Sequence, residues 1–254
     1  LYETHQALGT TQNELPVSYY DNAVIGTYGG YGDAAVVTLS RKGAENSDLL
    51  TNNVPDHADE DEHALQLDDN EKDLIRHVKQ YFDTVIVLIN SSNIMQIPDL
   101  AEPKTADNLG VDAILWVGNT GNNAIEAVGP ILNGTVNPSG HTVDIWPTDF
   151  TKDPTFTNFS ANTQNKDENG NRMDSFLYYE GEDTGYRTVE YREGIYMGYR
   201  YYETMADDMN AASEGTGDTW YGENVLYPFG YGLSYTTFEW ALADTTAQTG
   251  VVPA

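Results

Sequence analysis

The first half of the chain alternates short apolar runs with segments of helical pattern. Continuous β-branched and apolar residues predict three strands, at Ala34–Ser40, Thr84–Ile89 and Ala113–Val117. The stretch Asn70–Phe82 carries apolar residues at helical spacing and follows Asp68 or Asp69, either of which suits a helix N-cap. A second helix is predicted at Asn123–Leu132, where an Asn-Gly pair stops the pattern.

This alternation predicts the α/β class, as a three-layer α/β/α sandwich with a mostly parallel, doubly wound sheet. Ligands of such sheets bind at the carboxyl ends of the strands. The loops Arg41–Asp48, Asn90–Ile94 and Gly118–Asn123 follow the three predicted strands and therefore form the candidate site.

The second half of the chain has a different pattern. From Pro138 onward it is rich in turn residues and aromatic rings, and it shows no clear helical periodicity. Thr151–Met173 and Ala206–Gly222 are predicted to be long mobile loops. We expect one domain over residues 1–240, followed by a tail or linker stub at residues 241–254.

The chain is strongly acidic, because its 254 residues include 40 Asp and Glu against 12 Lys and Arg, for a net charge of −28. Such a surface repels nucleic acid and anionic lipid, so neither is an expected partner. Cysteine is absent, which excludes disulfides, a thiol nucleophile and thiolate metal sites. The longest apolar run has the length of a strand and is too short to span a membrane.

Two polar segments invite a metal interpretation, and neither fits one. Residues Asn165–Gly170 resemble the start of a calcium loop, but the twelfth position is Phe176 instead of a bidentate Glu. His57 and His63 are six residues apart, a spacing that matches no usual ligand pair.

The glycine-rich Gly26–Gly32 precedes a strand, whereas a dinucleotide fingerprint follows one. No metal or cofactor is therefore predicted.

Short motifs spread along the chain carry the most specific signal. They are SRKGAENSD at 40–48, VLINSSN at 87–93, AILWVG at 113–118, NPSG at 137–140, EGIYMGYRYYE at 193–203 and YPFGYGLSYTTFE at 227–239. In this order they resemble the second, C-terminal-type α/β-sandwich domain of glycoside hydrolase family 3, whose enzymes are β-glucosidase-like. Two departures are Asn46, where the family usually has Gly, and a shortened segment between Gly118 and Asn123.

The resemblance implies a catalytic role for Glu45. Most glycosidases use two carboxyls, and in a retaining enzyme one is the nucleophile while the other is the general acid and base. In many relatives the glutamate at this motif position is the acid/base. Arg41 and Asp48 flank Glu45 and are predicted to bind substrate, while the alternative is that they only pin the loop.

The second carboxyl is missing from this sequence. In the family it is an aspartate on a (β/α)8 barrel, in a Ser-Asp-Trp-like motif that does not occur here. A barrel alone needs roughly 250 residues, which leaves no room for one in this chain. We therefore expect half of an active site, no hydrolysis by the chain alone, and a (β/α)8 barrel of the same enzyme as partner.

The resemblance implies retaining hydrolysis of β-linked gluco- or xylo-oligosaccharides. The alternative is a non-catalytic sugar-binding or structural domain of the same family, because some relatives take their acid/base from the barrel. A stand-alone nucleotide binder is a weaker third hypothesis, since no glycine-rich turn follows the first strand. Where a barrel docks, the face with Glu45 and the aromatic tail should carry an exposed apolar patch.

Overall fold

The structure is a computed structural model that describes residues 14–32, 34–41, 49–51, 54, 57–59, 62–156, 178–179, 182–183, 191, 193–239 and 241. Its strands are β1 (Ala35–Ser40), β2 (Val85–Asn90), β3 (Ala113–Trp116), β4 (Trp146–Pro147), β5 (Tyr178–Tyr179), β6 (Glu182–Asp183) and β7 (Val225–Tyr227). Its α-helices are α1 (Asn22–Ile25), α2 (Asp69–Val78), α3 (Pro98–Ala101), α4 (Gly121–Ala124), α5 (Val128–Leu132), α6 (Tyr199–Ala212) and α7 (Thr216–Asn224). Short 3-10 helices occupy Val17–Tyr19, Tyr28–Gly30, Ile125–Ala127 and Phe150–Lys152.

Three parallel strands form the central sheet, in the order β1-β2-β3. Val37 lies beside Val87, and Val87 in turn lies beside Ile114. The three predicted strands and their parallel arrangement are confirmed, with small shifts at the strand ends. Elsewhere β4 pairs antiparallel with β7, and β5 pairs antiparallel with β6.

The main hydrophobic core lies on one face of this sheet. Val37 and Val87 pack there with the apolar face of α2 and with Leu100. On the opposite face, Val36 is 48% exposed and Thr38 is also exposed. Because the strands follow sequence order, right-handed crossovers place their connections on the same face. The described residues thus form a parallel sheet with helices packed against one face, which confirms the α/β class.

Helix α2 begins with a capping box. The Asp68 carboxylate accepts the backbone N–H of Glu71 at 2.7 Å, and the Glu71 carboxylate accepts the backbone N–H of Asp68 at 3.0 Å. Leu74, Ile75 and Val78 are buried in the core. The predicted helix and its cap are therefore confirmed, although the helix ends earlier than the pattern predicts.

The predicted helix Asn123–Leu132 is present as short pieces, namely α4, a 3-10 turn and α5. Pro130 has no backbone N–H, so it cannot donate to the carbonyl of Glu126 as a continuous α-helix requires. The last piece ends at the predicted Asn-Gly signal, where Gly134 adopts a φ of +77° and its N–H donates to the carbonyl of Ile131. A proline therefore divides the helix that the apolar pattern predicts as one.

The prediction of a mobile loop at Ala206–Gly222 is wrong. This segment lies in α6 and α7, which pack against each other as a helical hairpin. The buried residues of α6 are Tyr202 and Ala206, and Tyr202 stacks on Trp220 of α7 with ring centroids 5.9 Å apart. Such a narrow apolar stripe is hard to recognise in an acid-rich sequence.

Two other predictions fall mainly outside the described residues. Of the predicted loop Thr151–Met173, the structure describes residues 151–156, which include the end of a 3-10 turn. Of the predicted tail at 241–254 it describes Ala241, which is exposed. The boundary at residue 240 therefore stays a prediction.

Gly217 is the residue at which α7 crosses α6. A Cβ atom at this position would lie 1.9 Å from the carbonyl oxygen of Ala206. We expect Gly217→Ala to lower the free energy of unfolding by about 1–3 kcal/mol, because the two helices would have to move apart. Urea denaturation measures this change.

The matched control is Gly222→Ala in the same helix. A Cβ atom at Gly222 would meet nothing within 4 Å, so this variant should be neutral or slightly stabilising. Equal stabilities of the two variants would contradict the described packing of the hairpin.

Candidate functional site

The end of β1 is fixed by Arg41, the residue that follows the strand. Nη1 and Nη2 donate to the two carboxylate oxygens of Glu71 at 2.6 and 2.7 Å. Nη1 also donates to the carbonyl of Ser40 at 2.8 Å, and Nη2 to the carbonyl of Gln66 at 2.6 Å. Nε donates to the carbonyl of Ala64. An arginine side chain has five N–H donors, so all of them are engaged by the protein.

This ion pair is nearly closed to solvent. The exposed fraction of the side chain is 10% for Arg41 and 4% for Glu71. Because the Glu71 carboxylate also belongs to the capping box of α2, it joins the end of β1 to the start of α2. The sequence left open whether Arg41 binds substrate or pins the loop. Its engaged N–H groups favour pinning, and its contact with substrate stays a prediction.

Glu45 and Asp48, the other predicted site residues, lie outside the described residues. The described residues on either side of their loop meet at Ala64. The carbonyl of Ala64 accepts the Nε–H of Arg41, and its N–H donates to the carbonyl of Leu50 at 2.9 Å. A single residue therefore closes the base of the predicted catalytic loop.

The ends of β2 and β3 are joined at the same edge of the sheet. The Nε1–H of Trp116 donates to the carbonyl of Ser91 at 2.7 Å, and Ser91 itself is buried. The Ser91 hydroxyl accepts the backbone N–H of Asn93 at 3.1 Å. Ser92 and Asn93 are exposed. The predicted loop Asn90–Ile94 thus presents polar side chains at the carboxyl edge.

Aromatic rings connect this edge to the C-terminal motif. Trp116 contacts Trp146 with ring centroids 5.6 Å apart, and Trp146 contacts Tyr227 at 5.9 Å. Tyr227 stacks on Tyr231 at 4.6 Å. Trp146 is buried, and its indole N–H has no hydrogen-bond partner among the described residues. The rings therefore hold the motif against the sheet edge that carries Arg41.

Two of the sequence motifs bind each other. The N–H of Thr142 donates to the carbonyl of Tyr231 at 2.7 Å, and its carbonyl accepts the N–H of Gly230 at 2.8 Å. Asn137, in the NPSG motif, accepts the backbone N–H of Tyr235 at 2.8 Å through Oδ1. The regions of these two motifs are thus joined into one structural unit.

This unit carries exposed apolar side chains. Segments 136–143 and 227–238 contain no Asp, Glu, Lys or Arg, in a chain with 40 acidic residues. The apolar patch consists of Val143 (76% exposed), Leu233 (74%), Tyr235 (62%), Phe229 (49%) and Tyr199 (42%). The ring of Phe229 contacts that of Tyr199, the first residue of α6, with ring centroids 4.7 Å apart. The expected exposed apolar side chains are thus present on the aromatic tail, while the docking of a barrel there stays a prediction and Glu45 lies outside the described residues.

A buried histidine holds the segment that supplies Ala64. His63 Nδ1 accepts the N–H of Leu65 at 3.2 Å, so the ring proton must sit on Nε2, which lies 3.2 Å from the side-chain oxygen Oε1 of Gln96. That oxygen also accepts the N–H of Phe150 at 2.7 Å. The ring packs between Phe150 and Phe156. His63 is thus fixed as a neutral ring, and its burial lowers its pKa.

The part of the chain that the structure describes contains no group of three or more His, Asp and Glu side chains arranged to hold a metal ion. His57 instead lies 2.9 Å from a carboxylate oxygen of Glu62, and Lys72 lies 3.1 Å from the other oxygen. No helix in the described ranges combines the length and the apolar character that crossing a bilayer requires.

Sequence reasoning missed Glu71, Ala64 and Gln96. The spacing of Asp68 and Glu71 is the signal of a capping box, and it marks a helix start without indicating a further partner. The contact between Glu71 and Arg41 spans 30 positions, which no local pattern encodes. Ala64 acts through its backbone, and Gln96 follows no recognisable motif.

Known families and proteins resemble this chain over most of its length. A model of the family "Glycosyl hydrolase family 3 C-terminal domain" matches residues 26–199. Beta-glucosidase A of Butyrivibrio fibrisolvens is 32% identical over 93% of this chain and 24% of that protein. Beta-glucosidase of Ruminococcus albus is 28% identical over 95% of this chain and 19% of that protein. The exo-alpha-(1->6)-L-arabinopyranosidase of Bifidobacterium breve is 28% identical over 87% of this chain and 24% of that protein.

A solved structure supports the same relationship. The crystal structure of a beta-glucosidase from Paenibacillus barengoltzii superposes with a TM-score of 0.59 at 26% identity. The match covers 91% of this chain and 19% of that one. The chain therefore spans about a quarter or less of the length of these relatives.

The neutral state of His63 predicts a pH dependence of stability. Burial lowers the folded-state pKa of His63 and of His77, while the unfolded value is about 6.5. Between the folded and unfolded pKa values the unfolded chain binds more protons, so stability must fall as the pH drops below about 6.5. Urea denaturation at pH values from 7.5 down to 5 should show this loss.

The variant His63→Gln tests how much of the change in unfolding free energy with pH comes from this ring. Removing the titrating group should flatten the fall in the free energy of unfolding between pH 7 and pH 5, leaving the part due to His77. A slope unchanged by His63→Gln would show that His63 does not contribute to it.

Proposed function

Because the chain belongs to the glycosyl hydrolase family 3 C-terminal domain family, we propose that it supplies the acid/base of a retaining β-glycosidase. Glu45 is the proposed general acid and base. A (β/α)8 barrel of the same enzyme provides the nucleophilic aspartate in this proposal, so the chain alone is half of an active site.

The proposed reaction has two steps. In the first, protonated Glu45 gives its proton to the glycosidic oxygen as the C–O bond breaks, and the barrel aspartate bonds to the anomeric carbon. In the second, the Glu45 carboxylate takes a proton from water, which attacks the anomeric carbon and releases the aspartate. The two carboxyls of a retaining enzyme lie about 5–5.5 Å apart, so Glu45 must reach over the barrel's pocket.

The observation that carries the proposal is the anchored base of the loop that contains Glu45. Arg41 and Leu50, on either side of this loop, are both bonded to Ala64, at the carboxyl edge where parallel sheets bind ligands. The aromatic rings that start at Trp116 connect the apolar patch to this same edge. A loop fixed at its base beside a docking surface suits a carboxyl that works in a neighbouring domain's pocket.

The proposed substrates are β-linked gluco- or xylo-oligosaccharides. This choice is supported by relatives described as beta-glucosidases. Asp48 and Arg41 remain proposed contacts with the sugar. For Arg41 such a contact would require exchanging an internal hydrogen bond for a sugar hydroxyl, because its donors are engaged.

We also propose that the barrel covers the apolar patch and that the complete domain is a three-layer sandwich. Val36 exposes apolar surface on the sheet face opposite α2, which a second helical layer would cover. The segments of the patch that are free of charge would lose few favourable contacts with water on docking.

A non-catalytic sugar-binding or structural domain is the second candidate. One observation favours it: Arg41, a predicted substrate contact, uses its donors within the protein. In this case Glu45 is an ordinary loop glutamate and the acid/base comes from elsewhere in the enzyme.

Glu45→Ala in the barrel-bearing enzyme tests the proposal. On substrates with poor leaving groups kcat should fall by about 10²–10⁴-fold, because the leaving oxygen is no longer protonated. Activated aryl glycosides, whose leaving groups depart without protonation, should lose less in the first step. Azide should restore part of the activity by attacking the glycosyl-enzyme. Steady-state kinetics on both substrate types measure these effects.

The control is Glu214→Ala, which changes an exposed glutamate between α6 and α7 and should leave the kinetics unchanged. The chain without a barrel should hydrolyse neither substrate. Wild-type turnover of a poor-leaving-group substrate by Glu45→Ala would remove Glu45 from the mechanism and support the non-catalytic candidate.

Leu233→Glu tests the proposed docking surface. Placing a charge within the proposed dry interface should weaken binding of the chain to a separately produced barrel by about 10- to 100-fold. Calorimetric titration measures the Kd. Tyr31→Glu is the control, because Tyr31 is 72% exposed but lies outside the patch. Equal effects of both changes would show that the patch is not the docking site.

A further inference from the structure

We propose that Glu71 is a positioning residue for the acid/base chemistry, because its carboxylate fixes Arg41 and thereby the base of the loop that carries Glu45. This inference rests on the proposed role of Glu45. Glu71 does not touch substrate in this proposal: its side chain is 4% exposed, and both carboxylate oxygens are bonded within the protein.

The base of the loop is held at several points that converge on one short segment. Ala64 binds Arg41 through its carbonyl and Leu50 through its N–H. Gln66, two residues further on, accepts a second hydrogen bond from Arg41. Glu71, in the first turn of α2, accepts two further hydrogen bonds from Arg41. The loop is therefore joined to a helix that packs in the core, instead of to another surface loop.

The distance along the chain from this anchor to Glu45 is short. Glu45 is the fourth residue after Arg41, so only three residues separate the two in the sequence. A displacement at Arg41 has few residues over which it can be absorbed. Misplacing a reacting group by about 1 Å can cost roughly 100-fold in rate.

The negative charge at Glu71 is what this geometry requires. Two parallel N–H···O bonds fix the plane of the guanidinium as well as its position. Glutamine at this position would keep the size of the side chain, but it would replace one acceptor oxygen with an NH2 group facing another donor. Arg41 would then carry an unpaired charge in a nearly closed site and would turn toward water.

The test uses Glu71→Gln in the barrel-bearing enzyme. On substrates with poor leaving groups kcat should fall by about 10- to 100-fold with little change in KM. On activated aryl glycosides the loss should be several-fold smaller, since these need less help from the acid. Arg41→Lys keeps the positive charge without the fork of donors and should show the same selective loss. Both variants are measured at temperatures at which circular dichroism shows them folded.

Asp73→Asn is the matched control, because it removes an exposed carboxylate on the same helix that pairs with Arg76 at 3.0 Å. This variant should leave unchanged the ratio of kcat on poor-leaving-group substrates to kcat on activated aryl glycosides. A purely structural role for Glu71 would lower the melting temperature of Glu71→Gln but would not change this ratio, and that result would overturn the inference. If Glu45→Ala is impaired while Glu71→Gln matches Asp73→Asn, the inference fails and the proposed function stands. If Glu45→Ala is unimpaired, both fail.

Discussion

The buried contact between Arg41 and Glu71 joins the end of β1 to the start of α2 and fixes the described base of the loop that follows Arg41. Burying two charges costs the solvation of both ions, and their attraction offsets this only when the remaining hydrogen bonds are made. Here they are made, because Arg41 donates five hydrogen bonds and Glu71 also accepts the N–H of Asp68. Losing one partner would strand the other, so the arrangement is held as a unit.

The same burial separates the site from the ionic environment of a protein with a net charge of −28. Salt screens exposed charges over about 8 Å at physiological ionic strength, while a nearly closed pair is screened much less. The pair of Arg76 and Asp73, whose side chains are 52% and 60% exposed, belongs to the screened class. Salt should therefore change the self-repulsion of the surface more than the geometry at the end of β1.

Local patterns explain which parts of the fold were predictable. The strands and α2 follow from runs of apolar residues and from the cap at Asp68, all of which lie within a few positions of one another. The hairpin of α6 and α7 was missed because the buried residues of α6 are only Tyr202 and Ala206, which meet Trp220 and a glycine of α7 instead of a broad apolar stripe. The contact of Arg41 with Glu71 depends on the packing of a helix against a sheet, and Glu45 was singled out by family resemblance instead of by its own surroundings.

The uncharged motifs and the loop that carries Glu45 suit different proposed roles because of their chemistry. Desolvating an unpaired carboxylate costs several kcal/mol, so a docking surface on this acidic protein is best formed by segments without charged residues. Segments 136–143 and 227–238 meet that condition, and the ring of Tyr227 ties them to the sheet through Trp146. Segments 136–143 and 227–238 contain no carboxyl side chain, so the acid/base proposed at Glu45 lies on a different loop, whose described base follows β1.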